Sequence, residues 1–211
     1  MILWALYEVL SRMGVRCIRG IEPLQSDIDG ITVVHVKSPL QVLRQGIGNQ
    51  VELAILIISA LEAAGIRSYV VRLSPSEAAS PLQGRILIGV PYREGMALID
   101  VSELGALSFQ ESCKQAREVY LNYAQSYPHL VKIVDIRRQR ESGLRPSLIS
   151  ELSSSESYEV ISKIDQAVSS LRLQNMVVAL VSAALVGIIV IGISQLIADA
   201  LKSSKSEKVR P

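Results

Sequence analysis

The sequence predicts an α+β chain, with a central buried helix packed on an antiparallel sheet, followed by a linker and a C-terminal transmembrane helix. Three observations carry that prediction. Residues 49–64 are apolar almost all round, residues 66–101 hold three runs rich in β-branched and aliphatic side chains, and residues 173–198 carry no charge. The length of 211 residues leaves room for one domain of about 130–150 residues and an appendage. With 49% hydrophobic but only 4% aromatic residues, the core has to be aliphatic.

Residues 1–13 place Ile2, Leu3, Leu6, Val9, Leu10 and Met13 at helical spacing, with Trp4 and Tyr7 alongside and Gly14 as the stop. A signal peptide would need a basic start and a small-residue cleavage site, and Glu8 and Arg12 interrupt the apolar run. The stretch therefore reads as a packed helix. Residues 28–37 read as a strand after the turn Asp27-Ile28-Asp29-Gly30, and Ser38-Pro39 ends it.

Gly46 and Gly48 permit a tight turn before Asn49, a favoured N-cap whose side chain accepts from an otherwise unpaired helical N–H. Behind it, Val51, Leu53, Ala54, Ile55, Leu56, Ile57, Ile58, Ala60 and Leu61 leave almost no polar stripe, which predicts a helix at the centre of the domain. Gly65 stands where a left-handed residue ends such a helix, and residues 66–73 follow as a strand. Pro75, Pro81 and the serines around them make a loop. An antiparallel pair over 85–90 and 97–101 comes next, turned by Tyr92-Arg93-Glu94-Gly95.

These residues resemble the transglutaminase-like cysteine superfamily, of papain-like fold. Its core segment runs Gly, Asp or Asn, Cys, any residue, Glu or Asp, any residue, Ala, then a buried helix closing on Ala-Gly-Ile. Here those positions read Gly48, Asn49, Gln50, Val51, Glu52, Leu53 and Ala54, closed by Ala64-Gly65-Ile66. The family's cysteine falls on Gln50, its histidine on or beside Arg85, and its aspartate on Asp100. Tyr69 and Leu73 replace an Arg and a Gly usual after the helix, and the resemblance spans residues 38–103. It implies a transglutaminase-like domain over 1–140 whose active-site positions Gln50, Arg85 and Asp100 are degenerate, with Gly48, Asn49 and Glu52 lining the former substrate groove. A glutamine amide has no nucleophilic form to replace the thiolate that a helix N-terminus favours.

Residues 108–127 predict an amphipathic helix with Ser108 as N-cap and Glu111 completing a capping box. Cys113, Ala116, Val119, Tyr120 and Tyr123 share one face, which makes Cys113 a small core residue. Pro128 stops this helix, and residues 130–136 form a last strand. Composition then shifts to Arg137, Arg138 and Arg140, followed by Gly143, Pro146 and several serines, so 141–157 reads as a linker. A juxtamembrane helix over 158–175 leads to the span at 176–197, long enough at 1.5 Å per residue to cross about 30 Å of hydrocarbon. A short basic tail, 198–211, carries Lys202, Lys205, Lys208 and Arg210. The positive-inside rule taken literally would put that tail in the cytoplasm. Because exporting a folded domain without a signal is harder than passing a short tail, the expected topology is a single-pass tail anchor with the globular domain cytoplasmic.

A net charge of +2 with scattered basic residues excludes a nucleic-acid binding reading. Cys17 and Cys113 alone support neither a zinc site nor a disulfide framework, and no cofactor is expected. Three functional classes remain: a membrane-anchored, catalytically inactive transglutaminase-like module that binds a protein or peptide partner; an active thiol acyl-transferase or peptidase with a displaced nucleophile; and a membrane scaffold without enzymatic ancestry. The second would use Cys17 or Cys113 with His35 or His129. The first is the leading expectation, and its partners are the bilayer, through 176–197, and a peptide or protein.

Overall fold

The computed structural model describes residues 2–19, 24–28, 31–77, 83–93, 95–142 and 154–170, with the backbone alone for 24–28, 31–34 and 154–157. Helix α1 (Ile2–Arg12) turns Leu3, Leu6, Tyr7 and Leu10 inward, and strand β1 (Arg16–Cys17) follows it. Strands β2 (Leu24–Ile28) and β3 (Ile31–His35) pair antiparallel with Ile28 opposite Ile31. The sequence puts a turn at Asp27-Ile28-Asp29-Gly30; the pairing instead leaves Asp27 and Ile28 in a strand, and Asp29 and Gly30 lie outside the described residues.

Ser38-Pro39, expected to end a strand, opens helix α2 (Pro39–Gln45). Ser38 Oγ accepts from Gln41 N, the Gln41 side chain accepts from Ser38 N, and Pro39 occupies a first-turn position where its missing N–H costs nothing. Strand β4 (Ile47–Gly48) then pairs parallel with β1, setting Cys17 opposite Gly48.

Helix α3 (Gln50–Ala63) is the buried helix that its composition demands. Leu53, Leu56, Ile57 and Leu61 have essentially no exposure, and each such side chain contributes on the order of 1.5–3 kcal/mol by leaving water. Strands β5 (Tyr69–Leu73), β6 (Arg85–Tyr92), β7 (Gly95–Asp100) and β8 (Val131–Asp135) form one antiparallel sheet ordered β7-β6-β5-β8. The α+β class and the antiparallel sheet therefore hold, and the sheet has four strands. Alternation sends Val70, Ile86, Ile88 and Ile99 into the core that contains α3, and Val71, Leu73, Leu87 and Leu98 into a second cluster with Ala116. Ala116 belongs to helix α4 (Phe109–Ser126), which starts at the capping box expected of Ser108 and Glu111.

Beyond β8 the structure departs from the expected boundaries. The basic run read as a domain edge is helix α5 (Ile136–Glu141), started by Asp135 accepting from Arg138 N. Helix α6 (Ser154–Ser170) buries Val160, Ile164, Ala167 and Val168 in the same core as α1, α2 and α3, so the core extends past residue 140. Arg12 Nη1 donates to Ser170 O at 3.0 Å, joining α1 to the end of α6. Among the described residues no helix is long and apolar enough to cross a membrane. The expected span at 176–197 and tail at 198–211 lie outside the described residues, as do 143–153 of the expected linker.

Because Ile164 is fully buried, Ile164→Ala should cost about 2–5 kcal/mol. Thermal unfolding of the full chain should show a fall in Tm of several degrees. A helix standing apart from the domain would leave Tm unchanged.

Candidate functional site

The start of α3 is built from the residues that the sequence singles out. Asn49 Oδ1 accepts from Val51 N and Glu52 N, both at 3.0 Å, while Glu52 Oε2 accepts from Asn49 N at 3.0 Å, closing a capping box. Glu52 Oε1 also accepts from Lys37 N at 3.0 Å, so it ties the end of the β3 segment to the helix. Gly48 lies beneath, where an added Cβ would meet Val42 Cγ1 at 3.3 Å and Glu52 Oε2 at 3.4 Å. Gly48, Asn49 and Glu52 are thus buried at the cap, where the sequence led to the expectation of a groove lining. The physical reason is that their polar atoms are consumed by orphan backbone donors.

Gln50, at the first helical position, donates from Nε2 to Gly84 O at 2.7 Å. Gly84 is held at φ +104°, and a Cβ there would sit 2.1 Å from Leu73 O, so only glycine brings this carbonyl to Gln50. Arg85 follows directly. Its Nε lies 3.1 Å from Asp100 Oδ2, out of line for a hydrogen bond, so that contact is Coulombic; its Nη2 donates to Glu103 Oε1 at 3.3 Å. The structure therefore gathers Gln50, Arg85 and Asp100 from a helix start, the first residue of one strand and the last of the next.

Glu103, Arg19, Gln115, Ser102, Ser112 and Tyr7 complete the arrangement. Glu103, almost wholly buried, receives Arg19 Nη2 as well as Arg85, and Gln115 Nε2 donates to its Oε1 at 3.4 Å. Asp100, fully buried, accepts on Oδ1 from Ser102 N at 2.9 Å and Ser102 Oγ at 2.6 Å. Ser112 Oγ accepts from Asp100 N at 3.2 Å. Two guanidinium groups thus face two buried carboxylates, and the cluster is neutral as a whole. Tyr7 Oη, 3.0 Å from Glu103 O, is pushed up to about 12, above all by burial, and stays a donor. Asp100-Val101-Ser102-Glu103 carries a local signal, since Asp100 caps a 3-10 turn at Val101–Glu103. Arg19 carries none, because it lies 84 residues from Glu103.

Neither cysteine is poised as a nucleophile. Burial pushes the Cys17 thiol up to about 11, outweighing the lowering effect of Arg19, and burial does the same to Cys113. Both are overwhelmingly protonated at neutral pH. His129 Nε2 stands 3.7 Å from Glu77 Oε1 at the surface, and His35 is exposed. Among the described residues no group of three or more His, Cys, Asp or Glu side chains could hold a metal ion.

Comparison with protein-family models, with curated proteins and with solved structures finds no match for this chain. What its site can do therefore rests on its own residues. They supply a hydrogen bond from Gln50 and a set of ion pairs that close on one another.

Arg85→Met should destabilise the protein by about 2–4 kcal/mol, less than a wholly buried pair would because the Arg85 side chain is 34% exposed. Adding Asp100→Asn, which keeps the oxygen facing Ser102, should recover part of that loss. A double-mutant cycle in urea measures the coupling; additive losses would mean that the pair does not act as a unit.

Proposed function

We propose that this chain is a membrane-anchored binding module of transglutaminase-like ancestry that has lost acyl-transfer chemistry and docks a peptide segment of a partner protein. The observation that carries the reading is the 2.7 Å bond from Gln50 to Gly84 O. It sits where the resembled family has its thiol, and it turns the position into a clamp between helix and strand. A guanidinium at Arg85 stands where that family has an imidazole, and it cannot accept a proton at neutral pH. Helix α3 followed by antiparallel β5, β6 and β7 is the order of elements which the resemblance implies.

For the partner, the reading rests on an apolar groove of about 380 Å³ that begins one residue beyond Gln50. Val51, Ile55 and Ile58 form one wall, Ile86 the floor, and Ile136 and Arg140 of α5 the other wall. Arg140 is paired with Glu62 at 3.3 Å, which fixes the rim. An apolar peptide side chain entering there would be stripped of water without displacing a catalytic group.

Wild-type protein should show no turnover of a fluorogenic amide, and iodoacetamide should label Cys17 and Cys113 slowly at pH 7, faster as pH rises towards 11. Gln50→Cys should add a thiol that reacts at lower pH, because the N-terminus of α3 favours thiolate, yet still give negligible turnover. Wild-type turnover abolished by Cys17→Ala or Cys113→Ala would sink the reading. Membrane attachment has its own test: alkaline carbonate should leave the full chain in the membrane and extract a chain lacking residues 176–211. Extraction of both would remove the anchor.

A further inference from the structure

The sheet face opposite α3 is only partly covered. Helix α4 lies along β7, and an apolar cavity of about 480 Å³ opens between α4 and strands β5, β7 and β8. Val71, Met96, Leu98 and Ile133 line it, with Met96 38% and Ile133 49% exposed, so water stands against aliphatic surface that a packed domain would ordinarily cover. The volume is within the range of about 300–1,000 Å³ typical of small-molecule sites.

The polar groups around this cavity carry one sign of charge. Arg117 is the one charged side chain among the described residues that line it, and no acidic side chain faces it there. Arg117 makes no ion pair or hydrogen bond among the described residues, and neither do the hydroxyls of Tyr92 and Tyr120, which also line the cavity. Arg93 stands 5.2 Å from the centre of the Tyr92 ring and adds a second positive charge at that end. Unused donors beside an aliphatic trough suit an anionic head on an apolar body. An alkyl carboxylate meets both surfaces at once, its chain against the aliphatic trough and its oxygens at the exposed guanidinium of Arg117.

We propose that this groove binds an alkyl carboxylate, with the chain along Val71, Leu98 and Ile133 and the carboxylate held by the forked donors of Arg117. Arg rather than Lys suits the role, since its two parallel N–H groups match both carboxylate oxygens. The site lies on the sheet face opposite the α3 groove and is independent of the peptide-docking reading.

Cys113 lines the cavity, whereas Cys17 lies on β1, so the protein carries both a reporter and an internal control. Full-length protein in phosphatidylcholine nanodiscs is labelled with N-ethylmaleimide at pH 9, where the buried thiols react measurably, and each cysteine is followed by peptide mass spectrometry. Decanoate should slow labelling of Cys113 but not of Cys17, at about tenfold lower concentration than decanol, the difference expected of a charge-assisted fork. Arg117→Ala should raise the decanoate concentration to that of decanol. Equal potency of the two probes, no effect of Arg117→Ala, absence of protection, or parallel slowing of both cysteines would each overturn the proposal. Protection of Cys113 that rises with protein concentration alone, without a probe, would assign the groove to a second copy and overturn it as well.

Discussion

Asp100 and Glu103 are carboxylates with almost no access to water, and the region around the start of α3 is arranged to compensate them. Leaving water costs several kcal/mol for each ion after relaxation, so neither is tolerated without opposite charge and hydrogen bonds. Arg85 reaches both, Arg19 comes from the β1 segment to Glu103, Ser102 donates to Asp100 Oδ1, and Gln115 donates to Glu103 Oε1. Because Arg85 follows Gly84, whose carbonyl Gln50 holds, charge compensation also sets where β6 begins against the helix. Ser112 extends the constraint to the first turn of α4 through the backbone of Asp100.

The cluster is held by ion pairs and hydrogen bonds among its own members, with Asp100 Oδ2 compensated by the charge of Arg85 alone. Gln50 is engaged with a backbone oxygen, Arg85 and Arg19 with carboxylates, and both thiols are kept protonated by burial. The open surfaces lie elsewhere, as apolar grooves on the two faces of the four-stranded sheet.

Most of the local elements were legible because their signals are short-ranged. Asn49, Ser108 with Glu111, and Gly65 behave as the caps and stop their residue types suggest. The Ser38-x-x-Gln41 box was equally present in the sequence, but Ser38-Pro39 also suits the end of a strand, and a seven-residue helix offers too little periodicity to decide. Strand β1 pairs over two residues with β4, a length at which alternation carries no information. Gly48, Asn49 and Glu52 were visible as a motif, yet their burial depends on neighbours from other segments, with Lys37 N donating to Glu52 and Val42 lying against Gly48.

By itself the sequence determined a buried aliphatic helix with its caps, the hairpin strands beside it, the amphipathic α4 and an uncharged stretch at 173–198. All of these follow from periodicity, composition or cap chemistry within a few residues. Tertiary structure alone decided that Arg19 reaches Glu103 across 84 residues, that α6 lies in the core with α1 and α2, and that α4 leaves a groove beside β8. Those facts turn on which surfaces are brought together once the chain has closed, and charge pairing or burial between distant segments leaves no period in the sequence between them.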